Sequence, residues 1–151
     1  MQTIKDTQRA WLAGIVDGEG SFVIFRRTNI SKNKETIITA TASITITNSN
    51  KEIIDECANI LDECNIKYWM WYEKDGTHLR RQKRISVRNY GAIIQLINLI
   101  EGDLIGKKDQ ANLMKTFVDK ARKRTSFNAT EDRLNYCVKM SELNKNGNLI
   151  R

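Results

Sequence analysis

Residues 10–18, Ala-Trp-Leu-Ala-Gly-Ile-Val-Asp-Gly, fit very few surroundings. Wound into a helix at about 100° per residue, Trp11, Leu12, Ile15 and Val16 fall on one side. Ala10, Ala13, Gly14, Gly18 and the short acid Asp17 fall on the other. A surface helix turns Lys, Glu or Gln to water, and this second side has none of them. Glycine inside a helix costs about 1 kcal/mol relative to alanine, so Gly14 and Gly18 need a reason. Close approach of a second helix supplies one, and ending the helix at Gly18 and Gly20 supplies another. Both are expected here. If the partner is the same helix of a second copy, Ala10, Ala13, Gly14, Asp17 and Gly18 form the seam. A two-fold axis then brings two Glu19 carboxylates together at its end, where like charges call for a divalent cation.

The bulk of the chain fits that picture. Its 151 residues suffice for one domain with its own core, spanning 1–151 without a linker. A net charge of +7 points to a polyanionic partner, nucleic acid before membrane, because the cations are not gathered on one amphipathic helix. No apolar run reaches membrane-spanning length and the N-terminus has no signal-peptide profile, so an intracellular, non-secreted protein is expected. Three cysteines without C-x-x-C spacing and one histidine argue against zinc and for reduced thiols. Cys57 and Cys64 share the apolar face of their helix and are assigned to the core. Abundant Ile, Asn and Lys without proline suit an AT-rich gene of the kind organelles carry.

The pattern predicts a helix from about Asp6 to Val16, capped by Asp6 or Thr7, then a strand over 21–27 whose faces are ambiguous. After a polar loop over 28–35, residues 36–48 alternate cleanly. Ala40, Ala42, Ile44 and Ile46 take one side, and Thr39, Thr41, Ser43, Thr45 and Thr47 the other. An amphipathic helix over 50–64 follows, then strands over 66–74 and 78–89 joined at Asp75-Gly76, with Ile85 and Val87 inward and Arg80, Gln82, Arg84, Ser86 and Arg88 outward. Trp69 and Trp71 are expected in the core, because alternating aromatics on a half-buried strand usually pack there. Helices over 90–100, from 107 to about 124, and from a Thr130 cap complete the chain before a loose tail at Lys145-Asn146-Gly147. Asn128-Ala129-Thr130 fits a glycosylation acceptor, of no use without secretion. The fold class is α+β: an αββαββα core with one antiparallel four-stranded sheet, helices on one face and extra C-terminal helices.

Leu12-Ala-Gly-Ile-Val-Asp-Gly-Glu-Gly20 resembles the signature motif of the LAGLIDADG homing endonucleases, with Glu for the usual second acid. A single copy resembles the homodimeric, one-motif branch. The resemblance implies twisted sheets seated in the DNA major groove and cleavage across the minor groove of a long, nearly palindromic site, leaving 3′ overhangs. It implies that Glu19 binds the catalytic divalent metal, Mg²⁺, assisted by the backbone carbonyl of Gly18. The alternative for Glu19 is a solvated acid after a helix end. Lys107, before Gln110-Ala-Asn-Leu113, matches the family's active-site lysine, with a solvated lysine as the alternative and Lys108 as a substitute. Asn48 stands where the family places a polar residue that orders water, and a turn-forming asparagine is the other reading. Asp17 lies on the packed side of the helix, where a structural role is favoured.

Arg27, Asn29, Thr41, Ser43, Thr45, Tyr72, Arg80, Gln82, Arg84 and Arg88 are the candidates for reading DNA. Arg and Gln make paired contacts to base edges and other residues hold phosphates. The function expected is a site-specific double-strand DNA endonuclease. An RNA maturase that binds intron RNA is the alternative, and a DNA-binding regulator the third reading. Retention of Glu19 and Lys107 argues against the regulator.

Overall fold

The computed structural model describes residues 3–73, 81–123 and 130–146. The elements run α1 (Asp6–Glu19), β1 (Gly20–Ile30), β2 (Thr36–Asn48), α2 (Lys51–Glu63), β3 (Trp69–Tyr72), β4 (Lys83–Val87), α3 (Tyr90–Ile100), α4 (Lys108–Arg122) and α5 (Thr130–Asn146). This is the expected α+β order with its C-terminal helices. The four strands form one antiparallel sheet in the order β1-β2-β4-β3. The Asp75-Gly76 turn, Arg80 and the Asn128-Ala129 pair lie outside the described residues.

Alternation along β2 sets the two faces. Its register pairs Ile44 with Phe22 on one flank and Val87 on the other, and Ile46 with Ile85. That apolar parity joins one core with Leu12 and Val16 of α1, Ile54 and Leu61 of α2, Ile93 and Leu96 of α3, Phe117 of α4 and Met140 of α5. The β1 ambiguity resolves the same way: Phe22 and Ile24 face the core, and Val23 and Phe25 face out. β1 also runs on to Ile30, which shortens the expected loop to residues 31–35. Cys57 is buried as expected, and burial pushes its thiol up to about 12, so it stays protonated.

Several expectations are corrected. Lys5, not Asp6 or Thr7, caps α1, with its backbone N–H donating to Gln8 Oε1 at 2.8 Å. α1 reaches Glu19 because the motif glycines do not stop it. Ala13 is fully buried beside Leu12 and Val16, so it belongs to the core and not to the exposed small-residue stripe. Only Ala10, Gly14 and Gly18 keep that stripe in solvent. Trp69 and Trp71 are exposed, because β3 follows the parity of buried Ile66 and places Met70 inward. Where the pattern predicts a loose tail, Lys145 and Asn146 continue α5, which buries Tyr136 and Met140.

Gly20 is needed where α1 turns straight into β1. A Cβ there would stand 2.5 Å from the Val16 carbonyl oxygen and 2.9 Å from its Cα, while one at Gly14 meets nothing within 4 Å. Gly20→Ala is therefore expected to lose about 1–3 kcal/mol in urea denaturation. Gly14→Ala in the same assay should be neutral or gain up to about 1 kcal/mol.

Candidate active site and nucleic-acid interface

The last carbonyls of an α-helix lack intrahelical donors; in α1 the Gly20 N–H still reaches the Val16 carbonyl, and no basic residue stands in the last turn. The donor comes from the N-cap of α4. Lys107 Nζ donates to the carbonyls of Val16 at 3.1 Å, Asp17 at 2.8 Å and Gly20 at 2.6 Å. Burial pushes this ammonium below the ordinary lysine range, and the charges of Asp17 and Glu19 draw it back up. The Asp17 carboxylate makes the return contact. It accepts the backbone N–H of Ile105 at 2.7 Å, of Gly106 at 3.2 Å and of Lys107 at 3.1 Å.

That exchange closes one side of a cleft of about 560 Å³ lined by Asp17, Gly18, Glu19, Gly20, Ser21, Gly106, Lys107, Gln110 and Asn144. Gln110, buried in α4, donates from Nε2 to the Leu143 carbonyl at 3.4 Å, and Asn144 Nδ2 donates to the Phe22 carbonyl at 2.9 Å. These two side chains fix α4, α5 and β1 around the cleft, a role the sequence reading missed. The structure thus brings Gly18, Glu19 and Lys107 together. Asn48 does not line the cleft: its Oδ1 accepts the Asn50 N–H at 2.7 Å, in the turn that leads to α2. Asp17 is turned to the 105–107 loop of its own chain, which corrects its assignment to an intersubunit seam.

The donor set suits a hard cation only in one form. Among the described residues no three His, Cys, Asp or Glu side chains gather. The Glu19 carboxylate and the Gly18 carbonyl remain, both residues exposed. One carboxylate with carbonyl oxygen fits Mg²⁺, which keeps several waters and shares phosphate oxygens.

The open sheet face continues from this end. Arg27, Asn29 and Arg84 are exposed on it, Thr41 and Thr45 are half-buried, and Arg88 follows β4 in the open. Gln82 is exposed just before β4, and its backbone N–H donates to Glu73 Oε2 at 3.1 Å. Ser43 is only 8% exposed, shaded on the central strand beside Val23, so it offers little surface. Tyr72 is corrected to the opposite parity. It pairs with Lys83, whose ammonium stands 4.6 Å from its ring and binds Asp55. Arg80 is outside the described residues. In Tyr72's place the face carries Trp69 and Trp71, with the Arg84 guanidinium 5.4 Å from the Trp71 ring and donating from Nε to Thr47 Oγ1 at 3.3 Å. The parity of Ile66 was the signal for them.

A sequence model described as LAGLIDADG-like domain matches residues 6–98, which hold α1, the whole sheet and most of α3. The chain belongs to the LAGLIDADG-like domain family. No curated protein sequence matches it. Among solved structures it is similar to the homing endonuclease I-CvuI in complex with its target in the presence of Ca, with a TM-score of 0.73, 17% identity and coverage of 91% of this chain and 82% of that one. It is similar to the archaeal intron-encoded homing endonuclease I-Vdi141I complexed with DNA, at TM-score 0.66 and 20% identity, over 93% of this chain and 84% of that one. The meganuclease I-SmaMI bound to uncleaveable DNA matches at TM-score 0.62 and 15% identity, over 95% of this chain but 45% of that one. At these identities the structures establish the LAGLIDADG fold. Among the described residues no helix is long and apolar enough to cross a membrane.

Proposed function

We propose that this LAGLIDADG chain is a site-specific, double-strand DNA homing endonuclease that works as a homodimer with a divalent metal. The observation that carries the reading is the placement of exposed Glu19 and Gly18 at one end of α1, beside a cleft that opens next to a cationic sheet face. The DNA-bound relatives support duplex DNA as the partner. No observation favours the maturase alternative.

Pairing follows from the helix. Ala10, Gly14 and Gly18 form an exposed stripe without long side chains, and a Cβ built at either glycine meets nothing within 4 Å. A second α1 laid along it approaches closely and brings two Glu19 carboxylates to the shared end. The paired sheets then lie in the major groove on either side, and the Glu19 pair faces the minor groove between them.

Glu19 and the Gly18 carbonyl hold the cation. When bound, it supplies a nucleophilic water and counter-charge for the leaving oxygen. Arg27, Arg84 and Arg88 hold phosphates or guanine edges, and Asn29, Gln82, Thr41 and Thr45 add polar contacts. Lys107 helps organise the site, and Asn48 fixes the turn at the sheet end. Trp71, with Arg84 beside it, gives the face an apolar platform against sugar or thymine methyl.

Three measurements test the reading. Glu19→Gln is expected to lower Mg²⁺-dependent cleavage of duplex DNA about a hundredfold or more while duplex binding persists; uncut DNA with the parent chain at a site selected from a random library would refute it. Gly14→Leu should keep the circular dichroism of the parent yet sediment as a monomer and lose double-strand cleavage; an unchanged sedimentation coefficient would refute the helix seam. Trp71→Ala should weaken duplex binding about fivefold, near 1 kcal/mol, with no change in melting temperature.

A further inference from the structure

The terminal carbonyls of α1 are not taken evenly. Lys107 Nζ binds those of Val16 (which the Gly20 N–H also reaches), Asp17 and the cap residue Gly20, and passes over Gly18 and Glu19. An ammonium has three N–H donors, and these three contacts use all of them. The cation sits at the N-cap of α4, where that helix's dipole disfavours it, and reaches the carbonyl end of α1, where the dipole favours it. Asp17 does the converse, leaving the carbonyl end of α1 for the N–H groups of the 105–107 loop that leads into α4.

We propose that Lys107 is a positioning residue: with Asp17 it clamps the end of α1 to the 105–107 loop, so that the Gly18 carbonyl and the Glu19 carboxylate are left together for the cation. With its donors spent on protein carbonyls, Lys107 does not touch the attacked phosphate or the water. The inference rests on the nuclease reading for its metal, and on the hydrogen bonds alone for its clamp. Asp17 is the internal control, because its carboxylate faces the loop and contacts no substrate in either account.

The test compares Lys107→Met, Asp17→Asn and the double variant with the parent chain. Amide hydrogen exchange without metal or DNA should quicken about tenfold across residues 16–21 and 104–108 in each single variant. The double variant should be no faster than the faster single one, because both remove one coupled device. In cleavage assays each single variant should need about tenfold more Mg²⁺ for half-maximal rate, the scale for groups that orient ligands, and stay within about threefold of the parent rate at saturating Mg²⁺. Unchanged exchange would overturn the clamp. A saturated rate about a hundredfold down in Lys107→Met, with Asp17→Asn like the parent, would return Lys107 to direct chemistry. If Lys107→Met does not fold cooperatively, Asp17→Asn decides: a shifted Mg²⁺ midpoint supports the clamp and a parent-like curve overturns it. A parent chain that cuts no DNA sinks the nuclease reading, and the exchange arm still decides the clamp.

Discussion

Two charges that cross between helix ends hold this site together. Asp17 belongs to the carbonyl end of α1 and binds the amides of the loop that leads into α4; Lys107, the N-cap of α4, binds carbonyls at the end of α1 and at the Gly20 cap. Each would be disfavoured by its own helix and is favoured by the other's, an effect worth about 0.3–1 kcal/mol per charge at exposed helix ends. The contact spans 90 residues of chain, so it couples the signature motif to the C-terminal helices. It also leaves Glu19 at the negative end of α1, where it feels the Lys107 charge while the Lys107 donors go to backbone carbonyls. An acid in that position is poorly placed in the free chain and well placed to take a cation.

The sheet depends on the same junction. Because α1 turns into β1 at Gly20 without a linker, the position of Glu19 is fixed relative to the β1–β2 register, starting at Gly20↔Ile46. The open face therefore has a defined distance from the acid. Its polar content is layered: arginines at β1 and β4, hydroxyls along β2, and tryptophans at the β3 edge.

Local pattern made much of this legible in the sequence. Strict alternation over residues 36–48 fixed the face of the central strand, and its neighbours Ile85 and Val87 followed the same parity. The motif's composition marked α1, and its exposed Ala10, Gly14 and Gly18 agree with a helix that has no long polar side chains there. What failed depended on neighbours. Ala13 sits at the border of two faces, and only the packing of Leu12 and Val16 decides its side. Trp69 and Trp71 read as core because they are large and apolar, yet β3 is an edge strand with few residues, and buried Ile66 decides its parity. Ser43 has the right parity and too little surface, since a small side chain on a central strand is shaded by its cross-strand neighbours. The destination of Lys107 was not legible, because the path of residues 102–106 between α3 and α4 is set by tertiary packing.

The misread tryptophans change how the surface works. Arginines alone would give the face affinity for any phosphate backbone, and that attraction weakens steeply with salt. Trp71 holds the Arg84 guanidinium beside its ring, and Thr47 takes one of its N–H groups, so this arginine is fixed in direction in the free chain. A guanidinium ordered in advance loses less freedom on binding, and its planar fork can then distinguish a base edge from a phosphate. If the face binds duplex DNA as proposed, selectivity would rest on the few cations that aromatic and hydroxyl neighbours hold still, and the remaining charge would draw the duplex in.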